Sequence, residues 1–374
     1  MVSMKRKLHL NIATLVIAAC LATGLSSCRP VAAPPAATVP IPSETAQAAA
    51  TLPAPQVGIT SQPSPTESPL PTQTPSPSIT PTPDPYGLYT IDYLVGRAYG
   101  GGELRIEETL ATNSYFTRTL IAYPSDNLTI YGFMNTPRRV PDEERLPVII
   151  ALHGYIEPSI YATLDYTTHY ADALAREGFL VIHPNLRGYA PSDDGDNLFR
   201  VGMAIDVLNL IALVKQGAGK TGPLERADPE AIGVWGHSMG GGITTRVITV
   251  NPDVRAAVLY GAMSGDERLN YERIFNYFSD GTRGLEELSA PEQALLRISP
   301  VYAMERIQAA VSIHHGEHDT EVPLSWSQDT CQRLEDLGKD VECFIYNGQP
   351  HTFQGEGDDL FIQRMIAFFT EWLR

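Results

Sequence analysis

Ser238 lies in Gly236-His237-Ser238-Met239-Gly240, the one Gly-x-Ser-x-Gly in the chain. An apolar, β-rich run, Ile232–Trp235, precedes it, and a helix-forming run continues to Val250. Strand, sharp turn and helix in that order form a nucleophile elbow, in which a strained serine pushes its hydroxyl clear of a sheet. The flanking glycines fit the same reading, because a side chain at 236 or 240 would meet the neighbouring strand or helix. The following helix N-terminus places backbone N–H groups beside the reacting centre. A glycine-rich structural turn is the bland alternative. The strand before and the helix after favour a nucleophile.

A serine hydroxyl needs a general base within hydrogen-bond reach, and the base needs an orienting carboxylate. With this elbow the chain order is serine, acid, histidine. Of nine histidines, His9 sits near the N-terminus and His153, His169, His183 and His237 precede the serine. His314 and His315 fall within a strand and read as structural. His318 and His351 remain. His351, in the loop Asn347–Phe353 after the last strand, is the expected base. The acid is sought in His315-Gly316-Glu317-His318-Asp319-Thr320-Glu321-Val322-Pro323. Its Gly-x-x-Asp-x-x-Val-Pro spacing resembles this loop in many α/β-hydrolases and selects Asp319. Glu317 and Glu321 then read as solvated charges, with Asp266 as a minor alternative. The same crowd of His and carboxylate side chains resembles a metal site. Adjacent strand residues face opposite ways, however, so His314 and His315 do not readily share an ion, and no metal or other cofactor is expected.

A tetrahedral intermediate needs two N–H donors. Met239, directly after the serine, supplies one by position. The loop after strand Pro147–Leu152 reads Leu152-His153-Gly154-Tyr155, and Tyr155 is the expected second donor.

These groups require a scaffold. Apolar runs at 120–123, 128–134, 147–152, 179–183, 232–235, 256–260, 311–315 and 341–346 read as strands. They alternate with helical patterns at 169–177, 199–216, 323–337 and 358–373. Pro124–Asn127 reads as the turn of an early hairpin, 266–300 as a helical or irregular insertion and 301–310 as a further helix. Strands alternating with helices imply an α/β fold, with a mostly parallel sheet covered on both faces and its site beyond the carboxyl ends of the strands.

Residues 1–28 have a basic head, Lys5-Arg6-Lys7, then a mostly apolar run ending in Leu25-Ser26-Ser27-Cys28. This is the layout of a signal peptide, and its end resembles a bacterial lipobox with Cys28 as the lipidated residue. Cys20 fits the same pattern less well, and an ordinary secretory signal is the alternative. Residues 29–86 hold 16 of the 30 prolines and few large apolar side chains, the composition of a disordered linker. In polyproline II it would reach on the order of 150 Å. The remaining residues, 87–374, form one domain. The chain carries −16 overall; the basic head adds +3 and the linker −2, which leaves −17 on this domain. That field disfavours nucleic acid and charge-driven binding to anionic lipid. The expected location is extracytoplasmic, membrane-anchored through lipid alone or else secreted. Cys331 and Cys343 flank a helix–strand corner and could pair across it in an oxidising compartment, though nothing in the sequence shows that their geometry permits it.

Taken together, Tyr123-Pro124-Ser125-Asp126, Leu152-His153-Gly154-Tyr155, Asn185-Leu186-Arg187-Gly188, the elbow, the Asp319 loop and Pro350-His351 resemble the catalytic domain of the prolyl oligopeptidase (S9) family, close to dienelactone-hydrolase-like esterases. The resemblance spans roughly residues 115–374. It implies an α/β-hydrolase fold and a serine hydrolase working through an acyl-enzyme on short peptides or small esters. One departure stands out. Family oligopeptidases carry a β-propeller before this domain, and the roughly 30 residues after the linker are too few for one, so a carboxylesterase is as well supported as a peptidase. A binding module that kept the fold without catalysis is the contrasting reading. Within 266–300, Leu269, Tyr271, Ile274, Phe275, Tyr277 and Phe278 read as a lid over an acyl pocket or else as core.

Overall fold

The computed structural model describes residues 84–374. Cys28, the segment 1–28 and the linker up to residue 83 lie outside the described residues. After helix α1 (Ile91–Gly96) come strands β1 (Arg105–Thr112), β2 (Phe116–Ser125) and β3 (Leu128–Pro137). Strands β2 and β3 pair antiparallel from Phe116↔Pro137 to Ser125↔Leu128, so the hairpin turns on Asp126-Asn127, with Asp126 at φ 54°. Pro124 therefore lies inside the strand rather than in the turn. β1 is not visible in the sequence. It is the outer strand and is exposed along nearly its whole length, so it carries no alternation of apolar and polar residues.

The chain continues through β4 (Leu146–Leu152), α2 (Thr168–Arg176), β5 (Leu180–Pro184), α3 (Val201–Gly217), β6 (Ala227–His237), α4 (Met239–Val250) and β7 (Val254–Tyr260). The insertion follows as α5 (Glu267–Arg273), a π-turn at Ile274–Phe278, α6 (Leu285–Leu288) and α7 (Glu292–Ile298). The helix expected over 301–310 is instead two short 3₁₀ turns, Pro300–Tyr302 and Met304–Arg306. Each is a single turn, and Ala303 at φ −138°, ψ 20° leaves the helical region and separates them. Then come β8 (Ala310–Gly316), α8 (Leu324–Asp336), β9 (Val341–Tyr346) and α9 (Glu356–Leu373). Cys331 of α8 and Cys343 of β9 are joined in a disulfide.

The strands form one sheet in the order β1-β2-β3-β5-β4-β6-β7-β8-β9, parallel from β5 to β9. β4, β5 and β8 are buried at every position, as a sheet covered on both faces requires. One face packs α3, α4 and α8, with α1 and α7 lying against helices outside them, and α3 is so enclosed that Val201–Ile211 is buried without a break. The other packs α2 and α9, where Phe361, Met365, Phe368, Phe369 and Leu373 form one apolar stripe. An α/β-hydrolase fold results, and its parallel strands end on one edge, where the expected site residues lie.

Candidate active site

Ser238 stands between β6 and α4 at φ 55°, ψ −117°, a strained conformation for a residue with a side chain. Neighbouring backbone holds it there. Its N–H donates to Tyr260 O (2.9 Å), and its carbonyl accepts from the amides of Gly241 (3.0 Å) and Met263 (3.0 Å). The elbow glycines are required sterically. A Cβ at Gly236 would stand 2.2 Å from Gly240 O, and one at Gly240 would stand 2.4 Å from Leu152 O. Ser238 is half-buried, while Met239, the first residue of α4, is buried.

The turn after β4 comes close to the serine, because a Cβ at Gly154 would lie 3.2 Å from Ser238 Cβ. The backbone of Tyr155 thus follows directly on a residue in contact with Ser238. Its side chain points away and is exposed, its hydroxyl donating to Glu157 Oε2 (2.7 Å). His153 is buried, with Nε2 2.9 Å from Asn185 O and Nδ1 2.6 Å from Gly154 O, and burial lowers its basicity. It is a turn-holding residue, as its position before the serine implied.

Asp319 and His351 meet beyond the ends of β8 and β9. His351 Nδ1 donates to Asp319 Oδ2 at 2.6 Å. The carboxylate is fully buried, and its Oδ1 accepts from the amides of Glu321 (2.8 Å) and Val322 (2.9 Å). Burial by itself would raise this carboxyl. The side-chain donors His315 and His351 and the Val322 amide outweigh that, holding it well below the usual carboxylate range. Gly261 ties the pair to the elbow, since it follows the residue that accepts from Ser238 N–H. A Cβ on it would lie 3.2 Å from His351 Nδ1 and 3.4 Å from Asp319 Oδ2. Ser238, His351, Asp319, Met239 and the Tyr155 backbone are therefore gathered at one place. Asp266 is not with them. It caps α5 by accepting from Arg268 N (2.9 Å) and from the Tyr302 hydroxyl (3.2 Å).

Two histidines here escape the sequence reading. His237 precedes the serine and so falls outside the expected order, yet its ring lies 4.5 Å from that of His351. His315 reads as structural, yet its Nε2 is 3.1 Å from Asp319 Oδ2. His314, its neighbour, faces the opposite side among Phe344, Tyr346 and Phe361, as the strand alternation required. Glu321 is exposed, but its carboxylate comes within 3.7 Å of His351 Nε2, so it borders the site. The insertion also touches the site's rim. Arg273 donates to Glu321 O (3.0 Å) and Thr320 O (2.5 Å). Arg283 donates to the Tyr155 hydroxyl and lies 3.3 Å from Glu157 Oε2.

Chemically, a strained serine beside a carboxylate-held imidazole and a helix N-terminus can take up and release an acyl group. Residues 165–374 match the prolyl oligopeptidase family. An uncharacterized peptidase of Bacillus subtilis, YuxL, is 21% identical over 248 residues, which is 66% of this chain and 37% of that protein. An acylaminoacyl peptidase of Pyrococcus horikoshii superposes with a TM-score of 0.54 at 22% identity, over 70% of this chain and 42% of its own. Acetyl xylan esterase 1 of Thermoanaerobacterium superposes at 0.55 with 18% identity, over 77% of this chain and 95% of its own. These structural likenesses establish the α/β-hydrolase fold. The chain spans well under half of the two peptidases.

Proposed function

The chain belongs to the prolyl oligopeptidase family, and from that membership we propose that it is a serine hydrolase cleaving acyl bonds, carboxylic esters or short peptide amides, through Ser238, His351 and Asp319. The observation that carries this reading is the 2.6 Å bond from His351 Nδ1 to a buried Asp319, set against a strained Ser238 on the elbow. Because Nδ1 holds its proton for Asp319, the unprotonated Nε2 is the nitrogen free to act as base. In the proposed cycle Ser238 Oγ attacks the acyl carbon as its proton passes to His351 Nε2. Asp319 stays ionised and steadies the imidazolium. The Met239 and Tyr155 N–H groups receive the charge on the carbonyl oxygen. Collapse expels the alcohol or amine with the proton from Nε2. Water then repeats the steps on the acyl-serine, releasing the acid.

Both substrate classes stay in this reading, since the chain covers 95% of an acetyl xylan esterase and 74% of an uncharacterized peptidase of Bacillus subtilis, YtmA. The contrasting binding-module reading gives no reason for a strained serine beside a carboxylate-held histidine. A fluorophosphonate probe separates the two. Labelling of the folded protein at Ser238, abolished by Ser238→Ala, is expected of the enzyme, and an unlabelled folded protein overturns it. Profiling acyl esters against short peptide amides then fixes the class. We further propose an extracytoplasmic enzyme held to the membrane through a lipid on Cys28, with 29–86 as its spacer. The disulfide between Cys331 and Cys343 supports an oxidising compartment.

A further inference from the structure

Asp319 Oδ2 faces two histidines. One is His351 at 2.6 Å; the other is His315, at 3.1 Å and 1% exposed. The protons on His315 can be assigned from its surroundings. Its Nε2 is 3.1 Å from Val322 O as well as 3.1 Å from Asp319 Oδ2. A carbonyl and an ionised carboxylate only accept, so Nε2 carries the hydrogen. The hydrogen bond of Nε2 goes to the Val322 carbonyl, and the Asp319 carboxylate lies at the same 3.1 Å distance from that N–H. His315 Nδ1 is then the acceptor for the Ser327 hydroxyl of α8, 2.7 Å away. The ring is thus clamped in one tautomer between a helix and the acid loop.

We propose that His315 is a positioning residue for the hydrolysis, setting the acid loop and the Asp319 carboxylate against His351, with Ser327 fixing its tautomer. The proposal rests on the Ser238–His351–Asp319 reading. Its physical basis is the acceptor inventory of the carboxylate. Oδ1 is filled by the amides of Glu321 and Val322, and Oδ2 would hold only His351 without His315. The carboxylate is 0% exposed, so water does not replace the lost donor. It would become more basic and freer to turn. His315 also grips Val322 O, at the far end of the turn that delivers the two amides, so one ring fixes both ends of the acid loop.

A purely structural role makes a different prediction, and substitutions distinguish the two. His315→Leu removes the N–H with little change in volume, whereas His315→Gln keeps an N–H near the same place. Activity on p-nitrophenyl acetate is measured per fluorophosphonate-titratable site from pH 5 to 9, together with the melting temperature. For His315→Leu, kcat is expected to fall roughly 10- to 100-fold with KM little changed. Its acid limb should move to higher pH, because a less solvated carboxylate holds the His351 imidazolium more tightly. The groups facing this pair, Glu321 and His237, are unchanged in these variants. His315→Gln should recover much of both effects, and Ser327→Ala should show them in weaker form. Ser327→Ala decides the matter if His315→Leu does not fold. A lower melting temperature with kcat per site and acid limb unchanged in the folded variants overturns the proposal. His351→Ala is run alongside. If it stays active, the triad reading fails; if it is dead while His315→Leu and Ser327→Ala behave as wild type, this inference alone fails.

Discussion

His237 Nε2 donates a hydrogen bond to the backbone carbonyl of His351, 3.0 Å away. The residue before Ser238 therefore holds the main chain of His351, independently of any bond between their side chains. Because a carbonyl only accepts, Nε2 carries the proton, and Nδ1 accepts from the Tyr166 hydroxyl. A neutral ring is required for that arrangement. Burial, then the nearby His351, pushes the His237 pKa down to about 3.

That shift predicts how stability responds to acid. The folded pKa lies below the unfolded value of about 6.5, so below that pH the unfolded chain binds a proton that the native state does not. Stability is fully present above about 6.5 and falls as pH drops toward 3, at about 1.4 kcal/mol per pH unit for one such histidine. His153, His183 and His314 are lowered by burial in the same direction. Thermal melts from pH 7.5 to 4.5 are expected to show a steep fall beginning near 6.5. His237→Gln should make it shallower. A melting temperature flat to pH 5 would contradict the neutral-histidine assignment.

The triad reading predicts non-additive losses. Ser238→Ala and His351→Ala should each lower kcat by on the order of 10⁵ or more, and the double variant should be little worse than either. Asp319→Asn should lose less, on the order of 10³ to 10⁴, since it disturbs tautomer and orientation while leaving the base. Asp266→Asn should leave kcat near normal, because Asp266 caps α5. Kinetics with an activated ester test all four. An active Asp319→Asn beside an inactive Asp266→Asn would reverse the acid assignment.

The three glycines around Ser238 should fail differently. Gly236→Ala and Gly240→Ala drive a methyl into backbone oxygens at 2.2 and 2.4 Å, and backbone cannot rotate aside. Each should destabilise by about 3 kcal/mol or more and lower the melting temperature sharply. Gly154→Ala meets Ser238 Cβ at 3.2 Å, a contact that shifts of a few tenths of an ångström relieve. It should fold nearly normally and lose activity through displacement of the serine. Calorimetry and burst titration of the three variants give the contrast.

What the sequence disclosed depended on how local the signal was. The elbow, the Gly316-x-x-Asp319 loop and the parallel strands were legible because each is written in a few adjacent residues. The central strands β4 and β5 are also buried throughout, so their apolar runs are nearly continuous. β1 escaped because solvent faces it along its length, and Pro300–Arg306 reads wrongly as helix because the backbone break at Ala303 leaves no mark in the residue pattern. His315 and His237 look unimportant from their own positions. Their importance lies in what they touch: His237 meets a carbonyl 114 residues away, and no local pattern records that. The i, i+4 spacing of His315 and Asp319 was the one available hint.

Anchoring is tested by fractionation. Mature protein should partition with membranes, and Cys28→Ser should release it or block processing. Release by Cys20→Ser alone would move the lipidation site to the earlier cysteine. If neither substitution matters, the segment is an ordinary signal and the enzyme is secreted.

The insertion supplies the last prediction. Tyr271 is 5% exposed and packs edge-on against Phe199, so the core reading holds for that residue. It does not hold for Tyr277 and Phe278, at 52% and 46% exposure. Burial energy is therefore not what keeps these two in place. The insertion instead reaches the site's rim through two arginines. Arg273 grips the carbonyls of Thr320 and Glu321 beside Asp319, while stacking on Tyr277 at 3.7 Å. Arg283 grips the Tyr155 hydroxyl and Glu157 beside the expected oxyanion donor. Both partners of the Arg283–Glu157 pair are about half exposed, and such pairs contribute about 0–1 kcal/mol, so this tether is weak. Exposed aromatics on a segment tied at the rim fit gating of access better than packing. Arg283→Ala and Phe278→Ala are expected to shift the melting temperature by no more than about 2–4 °C. They should change KM and the preferred acyl-chain length by severalfold. The measurement is a chain-length series of p-nitrophenyl esters run with thermal melts. A drop in stability of roughly 3 kcal/mol with an unaltered length profile would return Phe278 to the core and remove the gate.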